Sequence, residues 1–189
     1  LNGQRGGVKG EIIQESWQKK IAIGGSLLTS TILLASLPFL SQLAKYSVLG
    51  LLLIAFLYSV PPIRLKAVPI LDSVTNGIGA FLFFALGTGL AGGNFSDIIP
   101  AGYWGSMIFM AIDAMGSCPD IEADKENGIR TSATLLGWRG TSIWFTASII
   151  VSLIFQKWDL IPKIGHMIGI IFGTTMYFKR TEEWFYAFV

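Results

Sequence analysis

Asp120 and Asp124 lie four residues apart in DIEADKENGIRTSAT (residues 120–134), a polar stretch inside an otherwise apolar chain. If this stretch is helical, one turn separates the two carboxylates. Both then project from one face, an arrangement suited to a hard divalent cation that takes oxygen ligands. Lys125 and Arg130 stand beside them. Carboxylates, Mg²⁺ and neighbouring cations together are a usual way to hold a diphosphate, whose charge no single partner neutralises. A second polar motif reads YSVPPIRLKAVPILDSVTNG (residues 58–77). Pro61 and Pro62 predict the end of a helix there, because neither donates a backbone hydrogen bond and each biases its predecessor towards an extended conformation. Arg64 and Lys66 alternate along the exit loop. In an extended backbone they point the same way, so two cations converge on phosphate oxygens at the membrane surface. Asp72 and Asn76 repeat the four-residue spacing at the start of the next apolar segment, where they add oxygen ligands or hydrogen bonds to the same site.

The elements that must position these groups are membrane helices. The chain is 52% hydrophobic and 14% charged, with a mean hydropathy of +0.58, against about 25% charged for an ordinary soluble domain. Apolar segments recur at residues 21–40, 46–60, 68–90, 101–117, 141–155 and 161–178, several near the roughly 20 residues needed to cross a bilayer. Glycines and Pro38 interrupt them, as is tolerated where neighbouring helices cover the backbone. The expected fold is an all-α, polytopic transmembrane helical bundle of about six to seven helices, forming one domain over residues 1–189. The lipid bilayer is the expected surrounding, and no nucleic-acid partner is expected. With six spans in alternation, one side carries Arg5, Lys9, Lys19, Lys20, Arg64, Lys66, Lys125, Arg130, Arg139, Lys179 and Arg180, and the other Lys45, Lys157 and Lys163. That eleven-to-three division accounts for all fourteen basic residues. The positive-inside rule then puts both polar motifs on the cytoplasmic side of a multi-pass cell-membrane protein.

Plainer explanations compete at each position. A Lys/Arg cluster beside a membrane helix is commonly a topology signal or a headgroup contact, and two acids at helical spacing are commonly a solvated face. Asp113 is different, because an ionisable group inside an apolar span marks a functional site by default. It precedes Asp120 by seven residues, almost two helical turns, so Asp113, Asp120 and Asp124 would form one stripe if Pro119 did not break the helix. Phe81, Phe83, Phe84, Tyr103, Trp104 and Phe109 either line a cavity that favours a carbocation or anchor the bundle in lipid. His166 has no evident sequence partner and reads as structural. Cys118, the single cysteine, excludes an intramolecular disulfide.

Taken together, YSVPPIRLK (58–66), Asp72, Asn76 and PDIEADKENGIRTSATLLG (119–137) resemble the UbiA-type membrane prenyltransferases, with wording nearest to the lycopene elongase branch. The resemblance implies a bundle of nine transmembrane helices with a cytoplasmic cap. A central cavity would bind Mg²⁺ and an isoprenyl diphosphate donor between two Asp-rich motifs. Asp120 and Asp124 match the second motif and become the expected metal ligands. The first, an Asn-Asp-x-x-Asp-x-x-x-Asp pattern, has no counterpart here. Residues 1–10 resemble the cap segment that follows it, and the last residues, 184–189, read as the start of another helix. The expectation is an internal stretch lacking the first two helices, half of the metal site and most of the last helix, and inactive by itself.

The expected reaction of the intact protein is Mg²⁺-dependent transfer of an isoprenyl group from the allylic diphosphate to a hydrophobic acceptor such as lycopene. A quinone precursor, a chlorophyll-type pigment or a glycerol lipid are the alternative acceptors. Asp120, Asp124, Tyr58 and Lys66 are the expected catalytic residues. Arg64, Lys66, Asp72, Asn76, Asp113, Lys125 and Arg130 are the expected substrate-binding residues, with Asp72, Asn76 and Asp113 placed to orient the acceptor or take its proton. A transporter for an anionic solute would also show membrane-embedded acids, but should carry paired broken helices and internal repeats, which the sequence lacks. A non-catalytic scaffold would need neither paired carboxylates nor flanking cations.

Overall fold

A computed structural model describes residues 16–99, 101–155 and 160–179. Seven α-helices follow one another among these residues: α1 Ser16–Ser36, α2 Gln42–Ser59, α3 Leu71–Leu90, α4 Ala101–Gly116, the short α5 Ile121–Glu126, α6 Ser132–Phe155 and α7 Leu160–Lys179. There is no strand among them. Six long helices coincide with the six apolar segments read from the sequence. The basic residues Arg5, Lys9, Lys157 and Arg180, the cap-like segment and residues 184–189 lie outside the described residues.

The helix ends follow local chemistry. α2 starts at Ser41, whose hydroxyl accepts from the Ala44 N–H at 3.3 Å and donates to the Gly89 carbonyl at 2.7 Å. One side chain thus caps α2 and closes the end of α3. α2 stops at Ser59, with Val60 as its cap before the two prolines, as their missing donors require. At the start of α6, Thr131 and Thr134 exchange side-chain acceptors for backbone N–H groups, at 2.8 and 3.2 Å, in the manner of a capping box. That cap starts the helix at Ser132, nine residues before the expected span at Thr141. Gly137 then breaks it, with φ 64° and ψ 177°, a conformation open to glycine at little cost.

Packing runs in chain order, α2 on α3, α3 on α4, α4 on α6 and α6 on α7, whereas α1 touches α2 lightly. The core gathers Ala111, Met115, Cys118, Ile121, Phe145, Ile149 and Met176 between α4, α6 and α7. Polarity is arranged inside out. Ser47, Ser73, Ser106, Ser142 and Ser152 are buried, while Ile21, Leu27, Phe56, Phe83 and Phe178 are exposed. A bilayer as solvent explains this, since lipid accepts apolar side chains and small polar ones bond across helices. Among the described residues, Lys20–Phe39, Gln42–Ser59 and Leu71–Leu90 are long and apolar enough to cross a membrane.

Glycine allows a close approach of backbone to backbone. A Cβ on Gly89 would stand 2.6 Å from the Ala44 backbone nitrogen, so α2 and α3 meet there only because no side chain intervenes. Gly89→Val is therefore expected to cost about 1–3 kcal/mol of stability through overpacking, read as a lowered midpoint of thermal unfolding in detergent. An unchanged midpoint would show that the two helices are free to separate at this end.

Candidate active site

The two polar motifs meet at a buried carboxylate. Asp72 lies in the first turn of α3 and is 3% exposed. Its oxygens accept from the Ser73 N–H at 2.8 Å, from the Ser132 N–H at 2.6 Å and from the Ser132 hydroxyl. The Ser132 oxygen accepts in turn from the Ile70 N–H at 2.8 Å. A buried carboxylate is costly unless hydrogen-bonded. Here it faces the positive ends of two helices, α3 and α6, whose first N–H groups have no partner within the helix. Ser132 had no distinguishing mark in the sequence; the Thr-Ser-Ala-Thr run that ends the acidic motif was the available signal.

This junction pins the turn that carries the cations. Arg64 (φ 37°) and Ile70 (φ 72°) both have positive φ, a conformation that costs side-chain-bearing residues of order 1–3 kcal/mol and persists only where the surroundings enforce it. Between them, Leu65–Ala67 is a 3₁₀ turn. The extended geometry expected for Arg64 and Lys66 is thus corrected. Near three residues per turn, positions two apart point in different directions. Arg64 is exposed and Lys66 half-buried.

One helical turn into α3, Asn76 Nδ2 donates at 3.1 Å to the Tyr58 hydroxyl and at 3.1 Å to the Asp72 carbonyl. Asp113 of α4 stands close enough to Asn76 and Asp72 to interact with both electrostatically. Tyr58, Asp72, Asn76 and Asp113 therefore form one polar cluster drawn from α2, α3 and α4, joined to α6 by Ser132.

The acidic motif forms its own turn. Cys118–Asp120 is a 3₁₀ turn that leads into α5, so the stripe expected from Asp113 through Asp124 is interrupted after Gly116. Asp120 is buried at the N-cap of α5 and Asp124 half-buried one turn on. Their spacing and all-oxygen character suit Mg²⁺. Among the described residues no three metal-ligating side chains converge, so such an ion would draw its other ligands from elsewhere. Lys125 lies on the exposed side, 3.5 Å from Glu122, and Arg130 is exposed. Burial pushes the Cys118 thiol up to about 12, which keeps it protonated and unreactive at neutral pH. His166 does have partners: Trp104 Nε1–H donates to its Nε2 at 3.1 Å, and the Ser152 hydroxyl lies 2.6 Å from the same atom, tying α4, α6 and α7 together.

Two apolar cavities adjoin the cluster. One, of about 720 Å³, lies between α1, α2 and α3 and reaches Tyr58, Ser59, Thr75 and Asn76. The other, of about 680 Å³, runs along α3 past Phe84 to Phe109 of α4. Both are lined by Asn76, Gly79 and Phe83. Of the aromatics singled out in the sequence, Phe83, Phe84 and Phe109 line these cavities. Phe81 instead packs on Tyr103 and Phe95, and Trp104 on His166. The arrangement pairs an apolar pocket with a polar end and offers acids and cations on the adjoining loops.

Residues 12–182 match the model of the UbiA prenyltransferase family. The chain belongs to that family. A lycopene elongase/hydratase from Haloferax volcanii is 38% identical over 114 residues, covering 59% of this chain and 36% of that protein. The C(50) beta-cyclic carotenoids biosynthesis protein LbtBC of Dietzia sp. is 27% identical over 209 residues, covering 96% of this chain and 45% of that one. The chain thus spans less than half the length of these curated relatives. A UbiA homolog from Archaeoglobus fulgidus, solved bound to DMAPP and Mg²⁺, shares the fold at a TM-score of 0.54 and 20% identity, over 77% of this chain and 51% of that one.

The Asp72 junction in this UbiA member is testable by itself. Ser132→Ala removes a donor to a charged acceptor and the acceptor for Ile70, and is expected to cost about 1.5–3 kcal/mol. Chemical denaturation in detergent reads the change. Ser132→Thr, which keeps the hydroxyl, should recover most of it.

Proposed function

We propose that the intact protein transfers an isoprenyl group from an allylic diphosphate to a hydrophobic acceptor, a carotenoid such as lycopene, inside the membrane and with Mg²⁺. The observation that carries this is the apolar cavity whose polar end is Tyr58 and Asn76, one helical turn from the Asp72 carboxylate that bonds Ser132 after the acidic motif. The carotenoid choice draws on the names of the Haloferax and Dietzia relatives, and the allylic donor with Mg²⁺ on the ligands of the Archaeoglobus homolog. The eleven-to-three charge division supports a cytoplasmic position for both motif loops.

Asp120 and Asp124 would hold Mg²⁺, which when bound neutralises the diphosphate and favours its departure. Lys66 and Arg64, with Lys125 and Arg130 of the acidic motif, offer cations to the remaining phosphate oxygens, and the Tyr58 hydroxyl offers a hydrogen bond. The allylic C–O bond breaks with its electron pair leaving on the diphosphate. The π pair of an acceptor double bond then forms the new C–C bond. The resulting cation loses a proton to the Asp113 carboxylate, which lies near Asn76. Asp72 acts by holding Ser132 and the cationic turn, because its own oxygens are taken by protein donors. Apolar walls keep water from the cation.

The test supplies labelled dimethylallyl diphosphate, Mg²⁺ and lycopene to membranes containing the intact protein. Label should enter lycopene, and Asp120→Asn or Asp124→Asn should each lower turnover about 10²–10³-fold. Label entering a quinone precursor or a glycerol lipid instead would keep the chemistry and replace the acceptor; Mg²⁺-dependent turnover surviving both substitutions would end the metal assignment. Separately, Asp113→Asn should reduce kcat about 10²–10⁴-fold as a lost general base with little change in the donor KM. A rise in KM alone would reassign Asp113 to binding.

A further inference from the structure

Gly79 sits mid-way along α3, where a glycine costs roughly 1 kcal/mol relative to alanine. On the same helix Gly77 is explained by packing: a Cβ there would lie 3.1 Å from the Ser106 carbonyl oxygen and 3.3 Å from Met110 Cβ. A Cβ on Gly79 meets nothing within 4 Å. Helix packing among the described residues therefore gives no reason for this glycine. Its position does, because Gly79 is one of three residues that line both cavities. The other two are Asn76, which bonds Tyr58, and Phe83, which is bulky and largely exposed. Gly79 is thus a position where a larger side chain would enter open space beside both cavities.

We propose that Gly79 is a specificity-determining residue that leaves passage for the part of an isoprenyl chain beyond its first unit. The inference rests on the donor reading above and adds which length of donor the site admits. Gly79 lies three residues beyond Asn76, about 4.5 Å along the helix axis. A five-carbon allylic group held by its diphosphate at the polar end stops near this level, whereas a longer tail must pass it into the apolar cavity. Side chains of increasing size at Gly79 therefore exclude long donors before short ones.

The experiment uses the intact protein in lipid nanodiscs with Gly79→Ala, Gly79→Val and Gly79→Leu. Two readouts are taken: the ratio of kcat/KM for geranylgeranyl over dimethylallyl diphosphate, and equilibrium binding of geranylgeraniol, which has the tail without the diphosphate. The ratio should fall in that order, at least tenfold by leucine, with geranylgeraniol binding weakened by a similar factor, and Gly79→Ala should not lower the thermal midpoint. Equal losses for both donors, unchanged geranylgeraniol binding, or a lowered midpoint in Gly79→Ala would each overturn the proposal, the last by showing that another helix packs there. If the unsubstituted protein transfers neither donor while Gly79→Leu still weakens geranylgeraniol binding, the transferase reading fails and the role of Gly79 in admitting the chain stands.

Discussion

The carboxylate of Asp72 is the interaction on which the arrangement of both motifs depends. It joins residues 60 positions apart in the chain and does so where the first turns of α3 and α6 meet. A buried charge without such partners would be expelled or neutralised; with three N–H and O–H donors around it, it becomes a junction. Ser132 extends the junction to Ile70 and so to the turn that presents Lys66. The loop bearing Asp120 and Asp124 leads directly into Ser132. Two loops that carry opposite charge are thereby fixed against one buried group and not left to find each other through flexible side chains.

Around that junction the bilayer sets different rules for different glycines. Where two helices must touch, as at Gly89 against Ala44 and Gly77 against Ser106, the absent side chain allows van der Waals contact that lipid would otherwise replace at equal hydrophobic gain. Where the helix faces a cavity, the same absence leaves space. α3 carries both kinds within a few residues of one another, because positions 77 and 79 point to different sides of a helix with 3.6 residues per turn. The helix that packs most closely is therefore also the one that lines both cavities. Loss of contact at one face and loss of volume at the other are separate consequences of substituting a single residue type.

Much of this could be read from the sequence, for physical reasons that differ by feature. The six long helices were legible because a bilayer imposes length and hydrophobicity on each segment, and the end of α2 because Pro61 and Pro62 remove donors wherever they occur. The four-residue spacing of Asp120 and Asp124 was legible for the same reason, since it needs only one turn of helix. Tertiary contacts were not. Ser132 is an ordinary residue whose importance comes from Asp72 in another helix, and His166 has partners only because α4, α6 and α7 pack together. The turn at Leu65–Ala67 was misread as extended, because Arg64 and Ile70 adopt backbone conformations that their side chains disfavour and that the junction enforces. The early start of α6 came from the cap formed by Thr131 and Thr134, a local signal that the hydrophobic pattern passes over.

In the proposed reaction, this distribution of polar groups decides between transfer and hydrolysis. An allylic cation is captured by whichever nucleophile is nearest, so the groups around it must stabilise the departing diphosphate without bringing water with it. Asn76 donates to the Tyr58 hydroxyl at the cavity head, with Asp113 close by, which satisfies polar atoms inside the protein and reduces their need for bound water. Below them Ala80, Phe83 and Leu86 offer a cation no lone pair, and the wall hydroxyls Ser26, Thr29 and Ser30 lie across on α1. An acceptor double bond held against the apolar wall is then the nearest electron pair, and Asp113 receives a proton only after the new bond has formed. A cluster open to bulk water would stabilise the same leaving group and lose the product.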